Sequence, residues 1–216
     1  MVFFNKSQPA PIILSTHNSQ DILDRLEVDF CNKCYICEEK EPKDINIEHF
    51  VAHQGNDTLR LDWNNLFLSC THCNNIKSNN FQNLLNCTIL SDKVDTALYY
   101  HCNPFPKEKA EFSIKIPSVK ATETKELLKK SFNGEHTPQK ALESANLRSL
   151  LVKEIRVFQA LLFDYDESEC SDNKEYYLRK IKFHLSKFSA FTAFKRWIIR
   201  DNPELLQEFS SYLEDN

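Results

Sequence analysis

Two Cys-x-x-Cys pairs, Cys34/Cys37 and Cys70/Cys73, frame the residues of this chain best suited to chemistry. Four thiolates close a tetrahedral Zn²⁺ shell, and a two-residue spacer lets a tight knuckle aim both sulfurs of a pair at one ion. Cys31, three residues before Cys34, offers an alternative first ligand. Between the pairs stand Glu48-His49 and Trp63-Asn64-Asn65-Leu66, and the second pair runs straight into Asn74-Asn75-Ile76-Lys77. An imidazole of ordinary pKa, about 6.5, is largely neutral at cellular pH and can take a proton from water, so His49 is the candidate general base. His53 follows four residues later and could face the same site. His72, between the cysteines of the second pair, reads as a solvent-facing helix start or a substitute zinc ligand.

These residues need elements to hold them. Ile45-Asn-Ile-Glu-His49 alternates as a half-buried strand does, Leu66-Phe-Leu-Ser69 is a short apolar strand, and a helix from about Thr71 completes a ββα unit. Upstream, Ser19 is a candidate N-cap for a short helix with Ile22, Leu23 and Leu26 on one face. Downstream, Thr88-Ile-Leu and Glu111-Phe-Ser-Ile-Lys-Ile lean toward strand, broken by Pro104, Pro106 and Pro117. Thr137-Pro138 then opens a long helix carrying Leu147, Leu150, Leu151, Ile155, Phe158 and Leu162. A second helix is expected over 173–188, and Asn202-Pro203 starts a last one through Glu214. The expected fold class is α+β, mostly helical: a lead-in and helix over 1–30, a zinc-stapled ββα core over 31–80, connecting strands and a helix over 81–136, and a helical partner-docking region over 137–216.

Composition narrows the function further. With 216 residues the chain is one large domain or two small ones, able to bury a core without disulfides. No charged leader with a long apolar run and no membrane-length apolar segment is present, so a soluble, intracellular protein is expected. In that setting the eight cysteines are metal ligands and buried thiols, with Cys87, Cys102 and Cys170 expected in the core. The only glycines are Gly55 and Gly134, so no Gly-rich phosphate cradle exists, and any ATP control must come from a partner. The net charge of -4 argues against an indiscriminate nucleic-acid coat. A local basic face remains available from Arg179, Lys180, Lys182, Lys187, Lys195, Arg196 and Arg200, whereas Phe183, Phe188, Phe191, Phe194 and Trp197 read as core.

Cys34-Tyr-Ile-Cys-Glu38, Ile47-Glu-His-Phe50, Arg60-Leu-Asp-Trp-Asn-Asn-Leu66 and Ser69-Cys-Thr-His-Cys-Asn-Asn-Ile-Lys77 together resemble the HNH nucleases of the ββα-metal type. With Lys6-Ser-Gln-Pro9 and the helical tail, the resemblance narrows to the PtuB-type nuclease of Septu and retron antiphage systems, close over 31–80 and loose elsewhere. It implies a metal-dependent endonuclease that hydrolyses phosphodiester bonds of DNA or RNA, with His49 as base and Asn65, rather than Asn64, fixing the loop and the base's orientation. It further implies a structural Zn²⁺ on Cys34, Cys37, Cys70 and Cys73, a catalytic Mg²⁺ or Mn²⁺ on Glu48 and Asn74 with His53 nearby, and a phosphate contact from Lys77. Asn74 stands where the third histidine is usual, making an H-N-N variant, and Ala52-His53 replaces the usual Pro-Lys. The implied setting is the bacterial cytoplasm, as a toxic effector restrained by a PtuA-like ABC-type ATPase and, in retrons, by a reverse transcriptase with its RNA-DNA product. A non-catalytic zinc module that docks nucleic acid to the ATPase, and a general restriction-type HNH enzyme, are the competing expectations.

Overall fold

The apolar alternation over 45–49 produces β1 (Ile45–His49), which pairs antiparallel with β2 (Leu66–Cys70), Ile45 opposite Cys70 and His49 opposite Leu66. Successive strand side chains point to opposite faces, so Glu48 is buried while His49 keeps part of its surface exposed. All five residues of β2 are buried. The structure, a computed structural model, describes residues 1–11, 19–135 and 137–213. Ahead of the hairpin lies α1 (Gln20–Asp29), within its connection α2 (Asp57–Arg60) and a 3-10 turn over Trp63–Asn65, and after it α3 (Thr71–Lys77). Short polar side chains start these pieces: Asn56 accepts from the Thr58 and Leu59 amides, and Asp62 from that of Asn64. Ser19 precedes α1 without a side-chain cap bond, and its carbonyl accepts from the Leu23 amide instead.

A second antiparallel pair, β3 (Leu98–His101) with β4 (Glu111–Ile114), follows. The strand expected at Thr88-Ile-Leu does not form. The Asn86 side chain accepts from both the amide and the hydroxyl of Thr88, turning the chain into a 3-10 segment over Leu90–Asp92. The helices are α4 (Val119–Asn133), α5 (Pro138–Asp166), α6 (Ser171–Leu185), α7 (Thr192–Asp201) and α8 (Pro203–Phe209). Thr137 caps α5 by accepting from the Lys140 amide at 3.1 Å, with Pro138 as the first helical residue. The last helix ends at Phe209 and tightens into a 3-10 turn over Ser210–Tyr212, and Glu214 lies outside the described residues.

One apolar cluster runs from Phe30, Tyr35 and Phe67 through Leu127 and Phe132 to Leu147, Leu151, Ile155 and Phe194, so the Cys-rich hairpin and the start of the helical region share a core. A smaller cluster, Phe158, Ile181, Leu185, Ile199, Phe209 and Leu213, closes the far end. Several expectations are corrected here. Cys87 and Cys102 are buried, but Cys170, just before α6, is exposed. Phe191, Phe194 and Trp197 join the core, whereas Phe183, Phe188 and Leu150 keep much of their surface in solvent. The expected basic face is broken, because Lys195 and Arg196 are buried. No helix among the described residues is long and apolar enough to cross a membrane.

Candidate metal centre and active site

The sulfurs of Cys34, Cys37, Cys70 and Cys73 lie within 4.8 Å of one another, all buried. Cys37 and Cys70 Sγ are 3.9 Å apart. Zn–S bonds of about 2.3 Å in a tetrahedron place sulfurs roughly 3.8 Å apart, so this donor set fits a zinc ion. Local geometry builds it. The Glu38 amide returns to the Cys34 carbonyl at 2.9 Å, closing the first knuckle with Glu38 at positive φ. The Tyr35 amide donates to the Leu68 carbonyl at 2.9 Å and ties that knuckle to β2. Cys70 opens α3, its Sγ accepting from the Cys73 amide. Cys31 is buried but stands outside the cluster, which removes the ambiguity over the first pair. Burial pushes the Cys37 and Cys73 thiols well up. At Cys34 burial is outweighed by hydrogen bonds from the other three, and the thiol is held well below its ordinary value. Neutral apolar surroundings favour thiols over thiolates, and a divalent cation is what would ionise all four.

The hairpin carries His49 at the end of β1. Its Nε2 lies 3.1 Å from the Arg60 carbonyl. A carbonyl only accepts, so Nε2 carries the proton and Nδ1 is the basic nitrogen of the ring. Burial, opposed by that carbonyl and assisted by the nearby charges of His53, Lys77 and Arg60, lowers its pKa and keeps the imidazole neutral. His53 packs against it with ring centroids 4.7 Å apart and takes the Gly55 amide on Nδ1.

Asn65 is the organiser of the loop between them. Its Oδ1 accepts from the Val51 amide at 2.7 Å, and its Nδ2 donates to the carbonyls of Val51 and Leu59, each at 2.9 Å. Its own carbonyl accepts from the Phe50 amide. Asn64 is exposed and makes none of these contacts. Of the two asparagines, it is Asn65 whose side chain ties these segments together. Arg60 was not legible from sequence as a site residue, because it acts through a main-chain carbonyl that any side chain could carry.

Glu48 and Lys77 sit differently from the sequence expectation. The Glu48 carboxylate turns to the face opposite His49 and pairs with Lys77 Nζ at 2.6 Å. Lys77, fully buried, also donates to the His49 carbonyl at 2.9 Å. A lysine so enclosed does not reach a phosphate, and a carboxylate so paired is not presented with His49 to a cation. Burial pushes the Glu48 carboxyl up, against the pull of Lys77. Asn74 lies one turn before Lys77 on α3, partly exposed. Among the described residues the four cysteines form the one group of three or more His, Cys, Asp or Glu side chains placed to share an ion. His72 is neither a zinc ligand nor a solvent-facing helix start. Its Nδ1 meets Glu143 at 2.6 Å and its Nε2 the Ser131 carbonyl at 2.8 Å, joining α3 to α5 and α4.

No family model, no curated protein and no solved structure matches the chain.

Proposed function

We propose that this protein is a metal-dependent endonuclease of the HNH type, hydrolysing phosphodiester bonds of nucleic acid from a hairpin held by a structural zinc ion on Cys34, Cys37, Cys70 and Cys73. The observation that carries the reading is the fixed tautomer of His49: with Nε2 donating to the Arg60 carbonyl, Nδ1 is the atom that accepts a proton from water as the oxygen attacks phosphorus. Asn65 supports it by locking the loop that carries Leu59 and leads to Arg60. A bound Mg²⁺ or Mn²⁺ would supply charge neutralisation at the scissile phosphate. Asn74 and His53 are the residues proposed to hold it. Mg²⁺ keeps several waters and uses substrate oxygens, so a thin protein ligand set suits it. On the resemblance alone, the setting is a bacterial cytoplasmic antiphage effector controlled by an ABC-type ATPase, with a reverse transcriptase and its RNA-DNA product as further partners.

The engagement of Glu48 with Lys77 favours a second reading, a zinc module that binds nucleic acid without cutting it. One assay separates the two. Purified protein, alone and with its coexpressed ATPase, is incubated with supercoiled plasmid and with total RNA in Mg²⁺, Mn²⁺ or chelator, beside His49→Ala. Metal-dependent cleavage lost in the variant supports the nuclease. Binding without cleavage of either substrate under all conditions supports the module and overturns the nuclease.

A further inference from the structure

We propose that Lys6 is a positioning residue of this site, locking from the amino-terminal segment the turn that presents Asn65; the inference rests on the nuclease reading above. Lys6 is buried, and its ammonium donates to two main-chain carbonyls, those of Trp63 and of Leu66, the latter at 2.7 Å. These carbonyls stand two residues before and one residue after Asn65. The ammonium also lies 4.2 Å from the centre of the Trp63 ring and 5.2 Å from that of Phe67. Among the described residues no carboxylate comes within ion-pair distance of it. Burial, against the pull of Asp29, brings its pKa down to about 8. A buried charge held by carbonyls and ring faces fixes the backbone it binds, because those carbonyls have no water to turn to if it leaves.

The segment that delivers Lys6 is itself anchored. The Ser7 amide and hydroxyl donate to Asp29 Oδ2 at 2.8 and 3.0 Å, and Arg25 donates to the carbonyls of Ser7, at 2.9 Å, and Pro9. From Lys6 a continuous set of contacts reaches the base. The 3-10 turn over Trp63–Asn65 aims the Asn65 amide at Val51 and Leu59, and Arg60, next after Leu59, supplies the carbonyl that sets the His49 tautomer. Lys6 touches none of the groups that face substrate, so its effect passes through Asn65.

The experiment compares full-length wild type with Lys6→Met, Asn65→Ala and the double variant, each checked for zinc content and folding. Hydrogen exchange over residues 50–66 is measured alongside kcat and KM on whichever of plasmid or RNA the wild type cleaves. Lys6→Met is expected to speed exchange in 50–66, to lower kcat about 100-fold with little change in KM, and to add nothing in the Asn65→Ala background. Unchanged exchange in that segment, an unchanged kcat, or losses that multiply in the double variant would overturn the proposal. If Lys6→Met does not fold, Lys6→Gln, which keeps a donor of shorter reach, is measured with the same expected direction and the same refuting outcomes. A wild type that cleaves neither substrate refutes the nuclease reading, while the exchange data still decide whether Lys6 holds the Asn65 turn.

Discussion

Lys77, at the end of α3 beside the hairpin, and Lys195 in the helical region are both fully buried, yet their surroundings differ in kind. Lys77 pairs with a buried carboxylate and with the backbone of His49, whose side chain emerges on the other face of β1. Lys195 donates to Glu154 and Ser189, both at 2.7 Å, and to His184 Nδ1 at 2.9 Å, where no element of the proposed site lies. Burial brings Lys195 down to about 8, and burial with the charge of Lys195 holds His184 at about 4, as a neutral acceptor. Arg196 and Arg200 are likewise spent on Asp95. The helical region uses Lys195 to tie α5, α6 and α7 together and its two arginines to hold the segment before β3. The hairpin rests on the buried Glu48–Lys77 pair, while His49, His53 and Asn74 each keep part of their surface exposed. The proposed chemistry is accordingly placed on the hairpin.

The largest effect should come from the metal centre. Cys70→Ser or Cys73→Ser should abolish binding of one equivalent of zinc and unfold the hairpin, since a structural zinc site contributes on the order of 10 kcal/mol to a small fold; elemental analysis and circular dichroism check this. A variant that stayed folded without metal would refute the hairpin's dependence on zinc. His49→Ala comes next, with cleavage expected to fall about 10²–10⁴-fold at nearly unchanged thermal stability. Single-turnover rates set beside melting curves test it.

Lys77→Met sharpens the comparison directly. It strands the Glu48 carboxylate in a buried site and should destabilise the protein by about 3–5 kcal/mol, with much of that recovered in a Lys77→Met/Glu48→Leu pair. Lys195→Met strands Glu154, whose side chain keeps 36% of its surface in water, and should cost less, about 1–2 kcal/mol. Urea titrations give both numbers, and equal costs would erase the distinction drawn between the two regions. Asn74→His should retain activity or move it toward softer ions, and Asn74→Leu should reduce it, read from Mg²⁺ and Mn²⁺ titrations. The smallest effect belongs to Arg179→Ala, which removes an exposed pair with Glu175 and should shift stability by no more than about 0.5 kcal/mol.

The sequence by itself determined the local pieces. Cys-x-x-Cys spacing encodes a knuckle, and alternation at Ile45–His49 encodes a strand. Thr137-Pro138 encodes a capped helix start, and each needs only neighbours a few residues away. Tertiary structure decided what those pieces hold. Adjacent residues of a strand face opposite ways, so the Glu48-His49 dipeptide, read together as a metal ligand and a base, is split between the interior and the site. Lys77, His72 and Lys195 look free in the chain because their partners, Glu48, Glu143 and Glu154, lie 29, 71 and 41 positions away. Lys6 and Arg60 act on or through main-chain carbonyls, groups that every residue carries and no sequence pattern marks. Spacing fixes geometry within a turn or a strand, whereas the pairing of a buried charge is settled only when distant segments meet, because an unpaired one costs too much to leave in the core.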